Sequence, residues 1–113
     1  MEKKLYQIPP FFEERMWGGE RLRTEFGYVA EVDPIGEAYN VVALPNHADC
    51  PVVGENMTLS KLYHEEPQWF CCDTEELQIR VNILDPAADL SVQLHPGDEY
   101  ALKYDHSRRK PEC

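Results

Sequence analysis

Ser91, Gln93 and His95 alternate with Leu90, Val92 and Leu94 in the stretch Leu90–His95, and Pro96-Gly97 ends it. On an extended strand, successive side chains point to opposite faces, so residues two apart share one. The pattern predicts a strand with an apolar row facing a core and Ser91, Gln93 and His95 in line on the other side. A glutamine oxygen and a histidine nitrogen two residues apart can serve one metal ion, and a borderline ion such as zinc accepts both. A sandwich strand with a polar outer face gives the same pattern without any metal.

Other groups invite weaker readings. Glu37 enters the mostly apolar run Glu37–Leu44. It reads either as a strand-end acid paired with a base or a backbone donor, or as a carboxylate in or behind an active site. His47 and Asp49 lie between Pro45 and Pro51, where a polar turn accounts for both. Lys110 and Glu112 are two apart near the end and share a face if the chain there is extended. Cys50, Cys71, Cys72 and Cys113 include no CxxC pair, which argues against a cysteine zinc site and for reduced thiols in the cytoplasm, with a pair of disulfides in a secreted chain as the alternative.

The elements that must position these groups read mainly as strands. Leu77–Leu84 alternates, with Ile79, Val81 and Ile83 on one face, and Pro86–Asp89 connects it to the Leu90–His95 strand. Glu37–Leu44 is apolar on both faces, as in a strand covered on both sides. A short helix from about Glu20 to Phe26 is closed by Gly27. A second runs from Leu59 to about Glu65, with Thr58 as N-cap, Leu59 and Leu62 toward the core, and Pro67 beyond its end. Asp98 is placed to cap a short helix carrying Tyr100, Ala101 and Leu102. With 113 residues, 42% of them hydrophobic, the chain makes one small domain.

The formal net charge of −10 argues against nucleic acid as the main partner, since phosphate binding needs clustered cations. No apolar run approaches the roughly 18 residues that span a bilayer, so no membrane partner is expected. Lys103, Arg108, Arg109 and Lys110 gather four of the 11 basic residues near the end. They form either a solvated basic tail or a local positive field suited to an anionic ligand.

Three strings resemble one family. Asn82-Ile83-Leu84-Asp85 followed by Leu90-Ser91-Val92-Gln93-Leu94-His95-Pro96-Gly97-Asp98-Glu99-Tyr100-Ala101 is similar to the signature of the type I phosphomannose isomerases of the cupin superfamily. Asn82 stands where that family usually has lysine, and Pro86 where it often has alanine. Trp17-Gly18-Gly19 with Leu22, and Ile35-Gly36-Glu37-Ala38-Tyr39, resemble two earlier family strings, with Tyr39 in place of the usual tryptophan. Lys110-Pro111-Glu112 looks like the opening of the strand that follows the signature.

The resemblance implies a mainly β fold, a partial cupin-type jelly roll with one or two short helices. Residues 1–113 would be the N-terminal part of such a domain, as a fragment, a truncated gene product or one piece of a larger assembly. It implies a metal-dependent aldose–ketose isomerase interconverting mannose 6-phosphate and fructose 6-phosphate, with a proton moving between C1 and C2 through an enediolate. Zinc would be the cofactor, with Gln93, His95 and Glu112 as ligands. Ser91 would line the substrate face, and Lys110 would bind substrate and serve catalysis through its charge. A small sugar phosphate would be the partner, and unpaired strand edges leave room for self-association. The alternative is a non-catalytic sugar-binding or regulatory cupin module.

Overall fold

The computed structural model describes residues 2–95 and 97–105. Its frame is a three-stranded antiparallel sheet in the order β1 (Phe11–Glu14), β2 (Ile35–Val41), β3 (Val81–Leu84), with β2 in the middle. Phe12 lies opposite Ala38 and Ala38 opposite Ile83, so these three share one face. That face closes on Leu22 and Ile35, with Tyr28, Ala30 and Val32 at its margin. Leu22 comes from α1 (Arg21–Thr24), a single turn followed by Gly27 at φ +69°, where glycine carries no Cβ penalty.

Beyond β2 the chain turns back on itself. Cys50 N donates to Val42 O at 3.0 Å and Leu44 N to Ala48 O at 2.8 Å, around a turn with Asn46 in the left-handed region. Val42, Ala43, Ala48 and Cys50 pack there with Leu59 and Tyr63 of α2 (Leu59–Glu65) and with Leu77. Tyr63 is fully buried, and its hydroxyl donates to Thr74 O at 2.6 Å, so burial leaves no orphan donor. Leu59 and Leu62 are both buried, as the i, i+3 spacing predicts.

Thr58 stands at the N-cap of α2 with extended backbone, as expected, but the capping side chain comes from elsewhere. Thr58 makes no side-chain cap bond. Asp49 does the work from eleven residues upstream: Oδ1 accepts from Ser60 N at 3.0 Å and Oδ2 accepts from the Ser60 hydroxyl. This also accounts for Asp49 without a metal, as the polar-turn reading has it.

Two glycine motifs and the Asp85 string lock together. Gly19 N donates to Asp85 O at 2.8 Å, and Ala87 N donates to Trp17 O at 2.7 Å. The buried Asp85 carboxylate accepts from Arg21 N at 2.8 Å, satisfying a free donor at the start of α1. A Cβ on Gly19 would fall 2.5 Å from Asp85 Oδ2, and one on Gly36 would fall 2.2 Å from Arg15 Cβ. Glycine is required at both positions by close approach.

Two strand expectations are corrected. Hydrogen-bonded pairing of the Leu77–Leu84 segment starts only at Val81, and of the expected inward row only Ile83 is partly buried; Ile79 and Val81 are exposed. Leu90–His95 forms neither strand nor helix, and its apolar row lies in solvent, with Val92 and Leu94 102% and 93% exposed. Alternation buries a row only when a neighbouring strand and a covering layer are present, and no described residue supplies them. The short helix after the motif does form, as α3 (Asp98–Tyr100) running into a π-type turn over Ala101–Asp105. Gly97, rather than Asp98, stands at its N-cap.

Candidate functional site

The second face of the sheet carries the chain's densest set of described polar contacts. Register places Glu13 opposite Glu37, and Tyr39 opposite Asn82. Two carboxylates directly across a strand pair repel, and Arg15 resolves the conflict. Its guanidinium lies 2.7 Å from Glu37 Oε2 and also pairs with Glu13. Tyr39 OH donates to Glu37 Oε2 at 3.2 Å, and Asn82 Nδ2 donates to Oε1 at 3.3 Å. Both oxygens of the buried Glu37 are therefore engaged. The strand-end acid paired with a base is the reading the structure supports.

Electrostatics follow from this packing. Burial alone would lower the Arg15 pKa, but the fields of Glu37 and Glu13 outweigh it and leave it raised. Burial, then the neighbouring Glu37 and Glu13 charges, push the Tyr39 phenol up, so it stays protonated as a donor. Burial likewise raises the Cys50 thiol, while Cys50, Cys71 and Cys72 are all free. Glu13 and Arg15 were not singled out from sequence, and Asn82 only as a departure from the family string. The only signal for them is the antiparallel register, which opposes two acids and so demands a cation nearby.

The candidate metal and substrate residues are placed in part. Ser91, Gln93 and His95 are all exposed, and Gln93 Nε2 donates to the Ser91 hydroxyl at 3.1 Å. Side chains two apart thus meet on one side of the chain, as the alternation predicts for this pair. Lys110 and Glu112 lie outside the described residues. Among the described residues, no three His, Cys, Asp or Glu side chains gather as a metal site. His47 is exposed in the turn before Ala48, and His64 Nε2 lies 3.0 Å from Glu75 O, so each has a local explanation. No helix of the described residues is long and apolar enough to cross a membrane.

A small antiparallel sheet with short helices is a partial, mainly β fold, and known proteins share it. GmuF of Bacillus subtilis, assigned to the mannose-6-phosphate isomerases, is 35% identical over 112 residues, covering 94% of this chain and 35% of its own length. The mannose-6-phosphate isomerase of Streptococcus mutans is 35% identical over 103 residues, 88% of this chain and 33% of the relative. The solved mannose 6-phosphate isomerase of Bacillus subtilis superposes with a TM-score of 0.79 at 28% identity, over 89% of this chain and 33% of that one. No family model matches the sequence. This chain is similar to these mannose-6-phosphate isomerases and spans about a third of the length of those it matches.

Proposed function

We propose that residues 1–113 form the N-terminal part of a zinc-dependent, cytoplasmic mannose-6-phosphate isomerase with a cupin-type jelly roll. The observation that carries this reading is the agreement of sequence and fold with proteins named for that activity, over nearly the whole chain. The donor set fits a divalent ion. Gln93 and His95 are solvent-accessible oxygen and nitrogen donors two residues apart, and Glu112 adds a carboxylate. When bound, the ion supplies Lewis-acid polarisation of the sugar's reacting oxygens.

The chain's own residues would do the rest. Ser91, already in contact with Gln93, would line the substrate face and hold the amide in place. Lys110 would bring positive charge toward the oxygens on which negative charge develops as a proton moves between C1 and C2. Lys103, near the start of the basic cluster, would favour an anionic sugar phosphate over a neutral sugar.

The test is a chimera in which residues 1–113 replace the corresponding third of the Bacillus subtilis enzyme. A coupled assay should show conversion of mannose 6-phosphate, and His95→Ala in the chimera should remove it. A folded chimera that binds sugar phosphate without turnover would refute the isomerase reading and favour a binding module.

A further inference from the structure

The segment that carries Ser91, Gln93 and His95 leaves the sheet through one buried acid, Asp85, the residue after β3. Asp85 is bonded in three directions. Its N donates to Gly36 O at 3.2 Å in β2, its O accepts from Gly19 N at 2.8 Å, and its Oδ2 accepts from Arg21 N at 2.8 Å. Just beyond it, Gly18 and Pro86 form an antiparallel bridge, and Ala87 N donates to Trp17 O at 2.7 Å. Residues 85–87 are thus latched onto residues 17–19. A buried carboxylate needs donors for its charge, and a bond to a charged acceptor is stronger than a neutral one. The Arg21 N–H is fixed by the turn of α1, so it holds the carboxylate, and with it the latch, in one place.

We propose that Asp85 is a positioning residue for the motif segment. By holding Pro86 and Ala87 against Trp17–Gly19, it sets where Ser91 and Gln93 stand. Ser91 is four residues on from Ala87, a span of at most about 14 Å in a fully extended chain. A displaced latch is therefore passed on to Ser91 and to the amide of Gln93 that bonds to it. The latch joins two strings far apart in sequence, Trp17-Gly18-Gly19 and Asp85-Pro86-Ala87, and Gly19 leaves the room the carboxylate needs, since a Cβ there would fall 2.5 Å from Oδ2. Misplacing a reacting group by about 1 Å can cost on the order of a hundredfold in rate. The consequence for turnover rests on the isomerase reading; the consequence for the place of the segment does not.

Amide exchange and NMR shifts on the 113-residue chain, with turnover in the chimera, provide the test. Asp85→Ala should speed exchange at the Gly19 and Ala87 amides at least tenfold and shift the resonances of Ser91 and Gln93. The Cys50 and Leu59 amides, bonded in the other core, should exchange as in the parent. Asp85→Asn keeps an oxygen that can accept from Arg21 N and should stay within threefold. Gly19→Ala keeps the acid but presses a Cβ onto it, and should move the same amides; it carries the test if Asp85→Ala does not fold. In the chimera, Asp85→Ala should lower kcat at least tenfold and Asp85→Asn should largely restore it, whereas Asp49→Ala, a lost cap elsewhere, should leave kcat within twofold. Unchanged exchange at Ala87, or unmoved Ser91 and Gln93 resonances, overturns the proposal. So does exchange that rises equally at Cys50 and Leu59, or a loss of turnover that Asp49→Ala matches. A parent chimera without turnover would refute the isomerase reading, and the exchange and shift results would then decide the role of Asp85 by themselves.

Discussion

At the scale of single residues, Glu37 shows what burial does to a charge. Removing one partner of a buried pair leaves the other uncompensated. Arg15 is about a third exposed at its side chain, so solvent recovers part of that cost. Glu37→Gln should therefore destabilise by no more than roughly 1.5–3 kcal/mol, the range for hydrogen bonds to charged groups, as read from urea unfolding midpoints; a change within error would mean that Glu13 alone suffices to hold Arg15. Tyr39 gives a pH dependence. Its folded pKa is raised, by burial first and then by Glu37 and Glu13, so the fold favours the neutral phenol. That contribution is intact below the unfolded value of about 10 and is lost as pH rises through the folded value. Tyr39→Phe should flatten the alkaline fall in stability, whereas an unchanged alkaline limb would assign the fall to Cys50, whose thiol burial also raises. Of this cluster, Glu37 was legible in the sequence as an acid entering an apolar run. Arg15 and Asn82 were not, because only the strand register brings them to it.

At the scale of elements, local signals succeeded where the partner was near in sequence and misplaced detail where it was not. The bounds of α2 were legible because its apolar spacing and Pro67 are local. Thr58 stands at its N-cap as the sequence suggests, but the side-chain bond to the helix's free N–H comes from Asp49, which reaches it across a turn. Asp49→Ala should cost about 0.5–2 kcal/mol, while Thr58→Ala should be close to neutral; equal losses in thermal unfolding would return the cap to Thr58. The same logic applies where Trp17–Gly19 meets Asp85. Gly19→Ala forces a Cβ onto the Asp85 carboxylate, and overpacking of this kind costs roughly 1–3 kcal/mol. Gly27→Ala meets no neighbour and carries only its positive-φ penalty. Leu90–His95 marks the limit of pattern reading: alternation states which side chains share a face, and the presence of a covering layer decides whether that face is buried.

At the scale of the molecule, the fold is more open than its mass alone would give. A compact monomer of 13.1 kDa exposes about 6,400 Å², and this chain exposes 8442 Å². Its radius of gyration is 16.0 Å, against about 13 Å for a compact chain of this length. Leaving Val92 and Leu94 in water forgoes about 1.5–3 kcal/mol for each, and among the described residues the motif segment has no sheet partner. A metal bound by Gln93, His95 and Glu112 would have to order that segment as it binds, at roughly 1–2 kcal/mol per backbone residue fixed. We therefore predict that the 113-residue chain binds zinc weakly and converts mannose 6-phosphate at or near background, against robust turnover by the full-length Bacillus subtilis enzyme. His95→Ala should lower what zinc affinity remains far more than His47→Ala or His64→Ala, as measured by calorimetry, because the latter two have local roles. Equal losses from all three would identify surface binding and remove His95 from the metal site. Robust turnover by the 113-residue chain with added zinc would overturn this prediction.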